Sequence, residues 1–208
     1  MSTTVGREVA GAERSLGMAD LSLGAADCEV VGQGVLAQPV AALSSVAFVV
    51  VAGWLAWTVR GLAPRQRLAA WVVAGPLALV GLGSIGYHGP QAPGAQLLHD
   101  ASVVLVLLAA VRVPAARALR RSPVLTPASR PWLVVAGVAA AVALPAYLLG
   151  RTGGVLCSPE SVLQLHAVWH VAAAVTVGAW GRALWPDPSA DRATGGSVRR
   201  RQEVRATS

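Results

Sequence analysis

The chain has 208 residues, of which 54% are apolar and only 13% charged. Soluble domains carry about 25% charged residues, so the shortfall excludes an ordinary soluble domain and points to lipid as the solvent; the mean hydropathy of +0.56 agrees. The formal net charge of +7 does not mark a nucleic-acid binder, because the arginines sit in short clusters between apolar runs, where they act as topology signals.

Residues 1–35 are polar, mixed in charge and dotted with glycine. They read as an extracytoplasmic N-terminal segment, ordered around Cys28 and Glu29. They hold no basic stretch followed by a short apolar run, so no cleavable signal peptide is expected. A transmembrane helical domain follows over 36–185. Its first span is expected over 37–59 and its second over 68–88, with Pro76 expected to kink the latter. The turn composition GPQAPG at 89–94 ends that helix. The third span is expected over 95–113, the fourth over 131–149 and the fifth over 161–184. Each is near the ~20 residues needed to cross the bilayer core. The tail over 186–208 is Arg-rich and reads as a disordered cytoplasmic segment. The fold class is all-α, a multi-pass transmembrane helix bundle of about five spans.

Arginine placement gives an expected orientation. Arg60, Arg65 and Arg67 follow the first span; Arg117, Arg120, Arg121 and Arg130 follow the third; six more lie between Arg182 and Arg205. The loop over 88–96 has none and the loop over 150–160 has only Arg151. The positive-inside rule then puts the C-terminus in the cytoplasm and the N-terminus outside. The expected location is a bacterial plasma membrane. Cys28 and Cys157 fall on the same, oxidising side, and one disulfide between them is expected.

The four histidines, His88, His99, His166 and His170, all fall at the outward ends of the second, third and fifth spans. Ionisable groups are expensive in lipid and usually face a partner or a function. His166 and His170 are four apart and share a helical face. With His88 they form a three-nitrogen set that leaves a fourth position for water, the pattern of catalytic zinc. Asp100 is the one acid well inside a span and is a candidate proton acceptor. Ser84, on the face of His88, is a candidate oxyanion donor. Each residue also has a plainer reading: a helix–helix hydrogen bond for a histidine, pairing with Arg112 or helix capping for Asp100, back-bonding for Ser84. Convergence from three helices on one membrane depth favours the metal.

At these residues the chain resembles the alkaline ceramidase family, and more broadly the membrane hydrolases that include the adiponectin-type receptors. The resemblance lies in Ser84 and His88 of SIGYH, Asp100 of LLHDASVV, and His166 and His170 of HAVWH. It extends to DCEVVGQGVLAQPVAALSSVAF ahead of the first span and to CSPESVLQLHAVWH ahead of the last. It implies zinc on His88, His166 and His170, supporting catalytic roles for Ser84 and Asp100, and hydrolysis of an amide, or an ester, in a lipid-like substrate that enters from the bilayer. The family has seven helices and five are expected here, as in a shortened relative. Of the family's calcium-binding acids only Glu29 and Asp27 are matched, and no calcium is expected. Competing expectations are a non-enzymatic metal-stabilised receptor and a proton- or ion-relay transporter. Relay groups should spread across the membrane depth, whereas these cluster at one end.

Overall fold

The structure is a computed structural model that describes residues 23–119 and 127–185. It is all-helical: α1 (Pro39–Ser44), α2 (Val46–Thr58), α3 (Pro64–His88), α4 (Ala95–Leu119), a 3-10 turn (Pro127–Ser129), α5 (Arg130–Leu149) and α6 (Leu165–Leu184). The expected tail over 186–208 and the segment over 1–22 lie outside the described residues.

Four stretches are long and apolar enough to cross a membrane: Pro39–Thr58, Pro64–His88, Ala95–Ala116 and Pro127–Leu149. The chain is thus a multi-pass bundle of about five spans, with α6 as the fifth long helix. α6 carries His166, His170 and Arg182 and is less apolar, yet it packs on α1, α2, α3 and α5. A helix walled by other helices needs no lipid-compatible outer face.

Boundaries differ from expectation in four main places, one of them α4, which continues through Pro114 to Leu119 and does not end at 113. The first span is broken at Ser45, because Ser44 and Ser45 both donate their hydroxyls back to the Ala41 carbonyl, at 2.9 and 2.7 Å. Such back-bonding bends a helix. The fifth span starts at Leu165 and not at Ser161. Gln164 is extended there, and its side-chain amide donates to the carbonyls of Ser158, Pro159 and Ser161. α3 starts at Pro64, where a first-turn proline loses no hydrogen bond, and it runs unbroken through Pro76.

Helix association in lipid relies on close packing, so small residues line the contacts. A Cβ on Gly83 would lie 2.6 Å from the His99 backbone nitrogen, which fixes how closely α3 meets α4. Phe48, Ala52, Leu77, Val80, Ala173 and Ala174 form a core where α2, α3 and α6 meet. A second core around Leu55, Val73 and Leu184 closes the opposite end. The peripheral α4 and α5 leave large apolar side chains such as Leu107, Val111, Val138 and Leu148 exposed, as lipid-facing helices do. α4 packs on α3 and α5 packs on α6, but α4 and α5 share no substantial packing. The bundle therefore has a seam between them.

Residues 23–38 form a folded cap over the histidine end. The buried Glu29 carboxylate accepts the amides of Val40 and Ala41, both at 2.8 Å, and so caps α1. Gln38 donates to the carbonyls of Gly24 and Glu29. A Cys28–Cys157 disulfide ties the cap to the loop between α5 and α6. Beside it Thr152 donates to the Ala25 carbonyl and accepts the Cys28 amide.

Candidate metal centre

α3 delivers His88 at its last residue. Gly89 follows, and a Cβ there would meet the Ile85 carbonyl oxygen at 2.6 Å. The helix end docks on the cap: the Gln38 amide donates to the His88 carbonyl at 2.8 Å, and the Ala37 amide to the Gly89 carbonyl at 2.9 Å. α6 delivers His166 in its first turn and His170 one turn later. The three rings converge, with centroids 5.0 Å apart for His88 and His166, 5.2 Å for His88 and His170, and 4.4 Å for His166 and His170. All three side chains are buried, and one nitrogen from each lies within 4.8 Å of the others. The sequence grouping of His88, His166 and His170 is thus one cluster in space.

The hydrogen bonds decide which nitrogen is free. Gln38 uses its amide nitrogen on two carbonyls, so its Oε1 accepts from His88 Nδ1 at 2.7 Å. His170 Nδ1 lies 3.2 Å from the Ala41 carbonyl, which can only accept, and 2.9 Å from Ser44 Oγ. His166 Nδ1 faces Asp27 Oδ1 at 3.5 Å. All three Nδ1 atoms therefore turn to oxygen acceptors. The Nε2 atoms of His166 and His170 are buried with no hydrogen-bond partner. A buried, unsatisfied polar atom is costly, and two of them converging suit a cation. Ligating histidines ordinarily donate their other ring N–H to a carboxylate or carbonyl. The donor set fits zinc, which accepts three imidazoles with a fourth position open.

Ser84 is fully buried, and its hydroxyl bonds Ser45 Oγ at 2.8 Å. Ser45 Oγ is itself 3.3 Å from His170 Nδ1. Ser84 thus stands behind His170. Asp100 is largely exposed and bonds neither Arg112 nor the cluster; its Oδ1 accepts from His99 Nδ1 at 2.8 Å. His99 stacks on Tyr87 and lies outside the three-histidine cluster. Asp100 and His99 line a cavity of about 580 Å³, together with His88, His166 and Asp27. Burial pushes the Asp27 carboxyl up to about 6, against the pull of Arg151 and His99.

Sequence reasoning left Gln38, Ser44 and Ser45 without roles and weighed Asp27 only as a calcium ligand. The signal for the first three was polarity at the mouth of an apolar span, which is costly unless used. Comparison of the chain with known protein families, with curated proteins and with solved structures finds no match.

Proposed function

We propose that the chain is a zinc-dependent membrane hydrolase of the alkaline ceramidase type, which cleaves the amide, or an ester, of a lipid-like substrate. The observation that carries this reading is the pair of buried, partnerless Nε2 atoms of His166 and His170 beside His88, where His88 and His166 line a cavity that is largely apolar. Bound zinc supplies Lewis-acid polarisation and lowers the pKa of a water toward ~7.

The chain's own groups do the rest. Gln38, Asp27 and the Ala41 carbonyl orient the imidazoles, and Ser84 acts through Ser45 on His170. Asp100, on the cavity wall, takes a proton from water and returns it to the leaving amine. Water oxygen bonds the carbonyl carbon, the C–N bond breaks, and a fatty acid and an amine leave. The acyl chain reaches Val103, Val106 and Leu107 of α4 through the seam between α4 and α5, which faces the bilayer. In the proposed orientation the site lies at the outer face, with the C-terminus cytoplasmic; a reporter fused after Ser208 that is active only outside the cell would contradict this.

The test is metal content and turnover of purified protein beside His88→Ala and His170→Ala. One zinc per chain, lost in both variants, with fatty acid released from a ceramide-like amide by the wild type alone, supports the hydrolase. Zinc without turnover on a lipid panel makes the chain a metal-stabilised receptor. No metal after gentle purification removes both.

A further inference from the structure

Arg151 is the one charge of the loop between α5 and α6 that lines the cavity. It lies at the end of the bundle that is poor in arginine, where a cation has no topological task. Its guanidinium leans on Tyr147, with Nη1 donating to the hydroxyl at 2.5 Å and the ring centroid 5.1 Å away. Tyr147 in turn packs on Trp169, at 5.1 Å between centroids, and both rings line the cavity. Among the described residues no carboxylate lies in ion-pair range of this guanidinium. Of the two acids of the cavity, Asp100 bonds His99, and Asp27 faces His166 at 3.5 Å and is drawn by the Arg151 charge only from beyond ion-pair range. A guanidinium has five donors in a fixed fork that matches a carboxylate or phosphate, and here the aromatic ledge holds that group on the cavity wall near His166, Asp27 and Asp100.

The opposite part of the cavity is apolar, lined by Leu77, Val80, Val103, Val106, Ala173 and Val177. An acylated substrate can place its chain in only one of these two regions. With the chain among the valines and the carbonyl at the histidines, the amine-side group lies in the polar region with Arg151. We propose that the preferred substrate is an N-acyl amphiphile with an anionic amine-side group, such as an N-acyl amino acid, and that Arg151 is the specificity residue that pairs with it. This rests on the hydrolase reading for the reaction but not for the binding. Cleavage adds water across the amide C–N bond and yields a fatty acid and an amino acid whose amine takes up the proton.

The experiment measures binding without chemistry. The ligands are the ketone isostere of N-dodecanoylglycine, in which a methylene replaces the amide nitrogen, and the same ketone with its carboxylate made a neutral primary amide. Affinities are determined in neutral maltoside detergent at low salt, for the wild type and Arg151→Gln. A charge-assisted pair predicts roughly tenfold tighter binding of the anion by the wild type, with the preference lost in Arg151→Gln. Equal affinities in the wild type overturn the proposal, and so does a preference that survives the substitution. The wild-type comparison stands even if the variant fails to fold. Turnover of N-dodecanoylglycine and of a neutral ceramide-like amide is followed in parallel. Selective binding with no turnover of either removes the hydrolase and keeps the anion site; turnover of both with no binding preference does the reverse.

Discussion

Gln38 Oε1 sits 2.7 Å from His88 Nδ1, and the other half of that amide is held by the carbonyls of Gly24 and Glu29. A side chain pinned on three sides sets the tautomer of His88, so its Nε2 carries a lone pair toward the cluster. Histidine orientation here is therefore a property of the N-terminal cap as much as of the helices.

Replacing that amide should weaken the metal site without removing a ligand. Loss of such an outer partner typically costs 10–100-fold in metal affinity. Gln38→Leu is expected to lower zinc affinity by about that factor, measured by competition with a chelator. Unchanged affinity would show that the hydrogen bond does not orient His88.

Metal should also stabilise the fold, because the cluster joins α3 to α6 only when both are in place. A ligand bound to the folded state alone at a hundred times its dissociation constant contributes about 2.7 kcal/mol. Chelation is expected to lower the melting temperature of the wild type and to leave that of His170→Ala unmoved. Equal shifts in both would mean that the chelator acts elsewhere.

The Cys28–Cys157 disulfide closes a sequence separation of 129 residues and flanks Asp27, the residue facing His166. Removing a native disulfide commonly costs about 2–5 kcal/mol. Paired Cys28→Ser and Cys157→Ser substitutions are expected to lower the melting temperature, and also zinc affinity, since the cap that holds Asp27 and Gln38 loosens. Lower stability with undiminished zinc affinity would separate the bridge from the site.

The contact of α3 with α4 can be tested by one methyl group. Gly83→Ala forces a Cβ to within 2.6 Å of the His99 backbone, and overpacking of this kind costs about 1–3 kcal/mol. Gly137→Ala in α5 meets nothing within 4 Å and should be neutral, or stabilising by up to about 1 kcal/mol from helix propensity. Thermal melting of the two variants in detergent checks the difference; a Gly83→Ala protein as stable as Gly137→Ala would show that α4 shifts freely.

Hydropathy and turn residues placed the helices within a few residues, because the bilayer demands long apolar runs and the breaks between them carry proline, glycine or arginine. Two breaks lie where hydroxyls or amides compete with the helix, at Ser45 and Gln164, while α3 and α4 run past the apolar stretch into Arg-bearing residues. His88, His166 and His170 stood out because imidazoles are rare in such runs and all lay at one depth. Ser84 shares a face with His88, but its partner is Ser45, 39 residues away, and no periodicity announces that pairing. Glu29 looked like a remnant cation ligand, yet both of its oxygens are engaged by α1 amides.

The primary structure alone settled the helical class, the approximate placement of the long helices and the imidazoles that reach one end of the bundle, since these follow from short-range spacing and the cost of polar groups in lipid. Three-dimensional packing was needed to pair Gln38 with His88, the Ala41 carbonyl with His170 and Asp27 with His166. Those acceptors sit 50, 129 and 139 positions from their imidazoles, and hydrogen-bond partners at such separations depend on how distant segments dock, which local patterns do not encode.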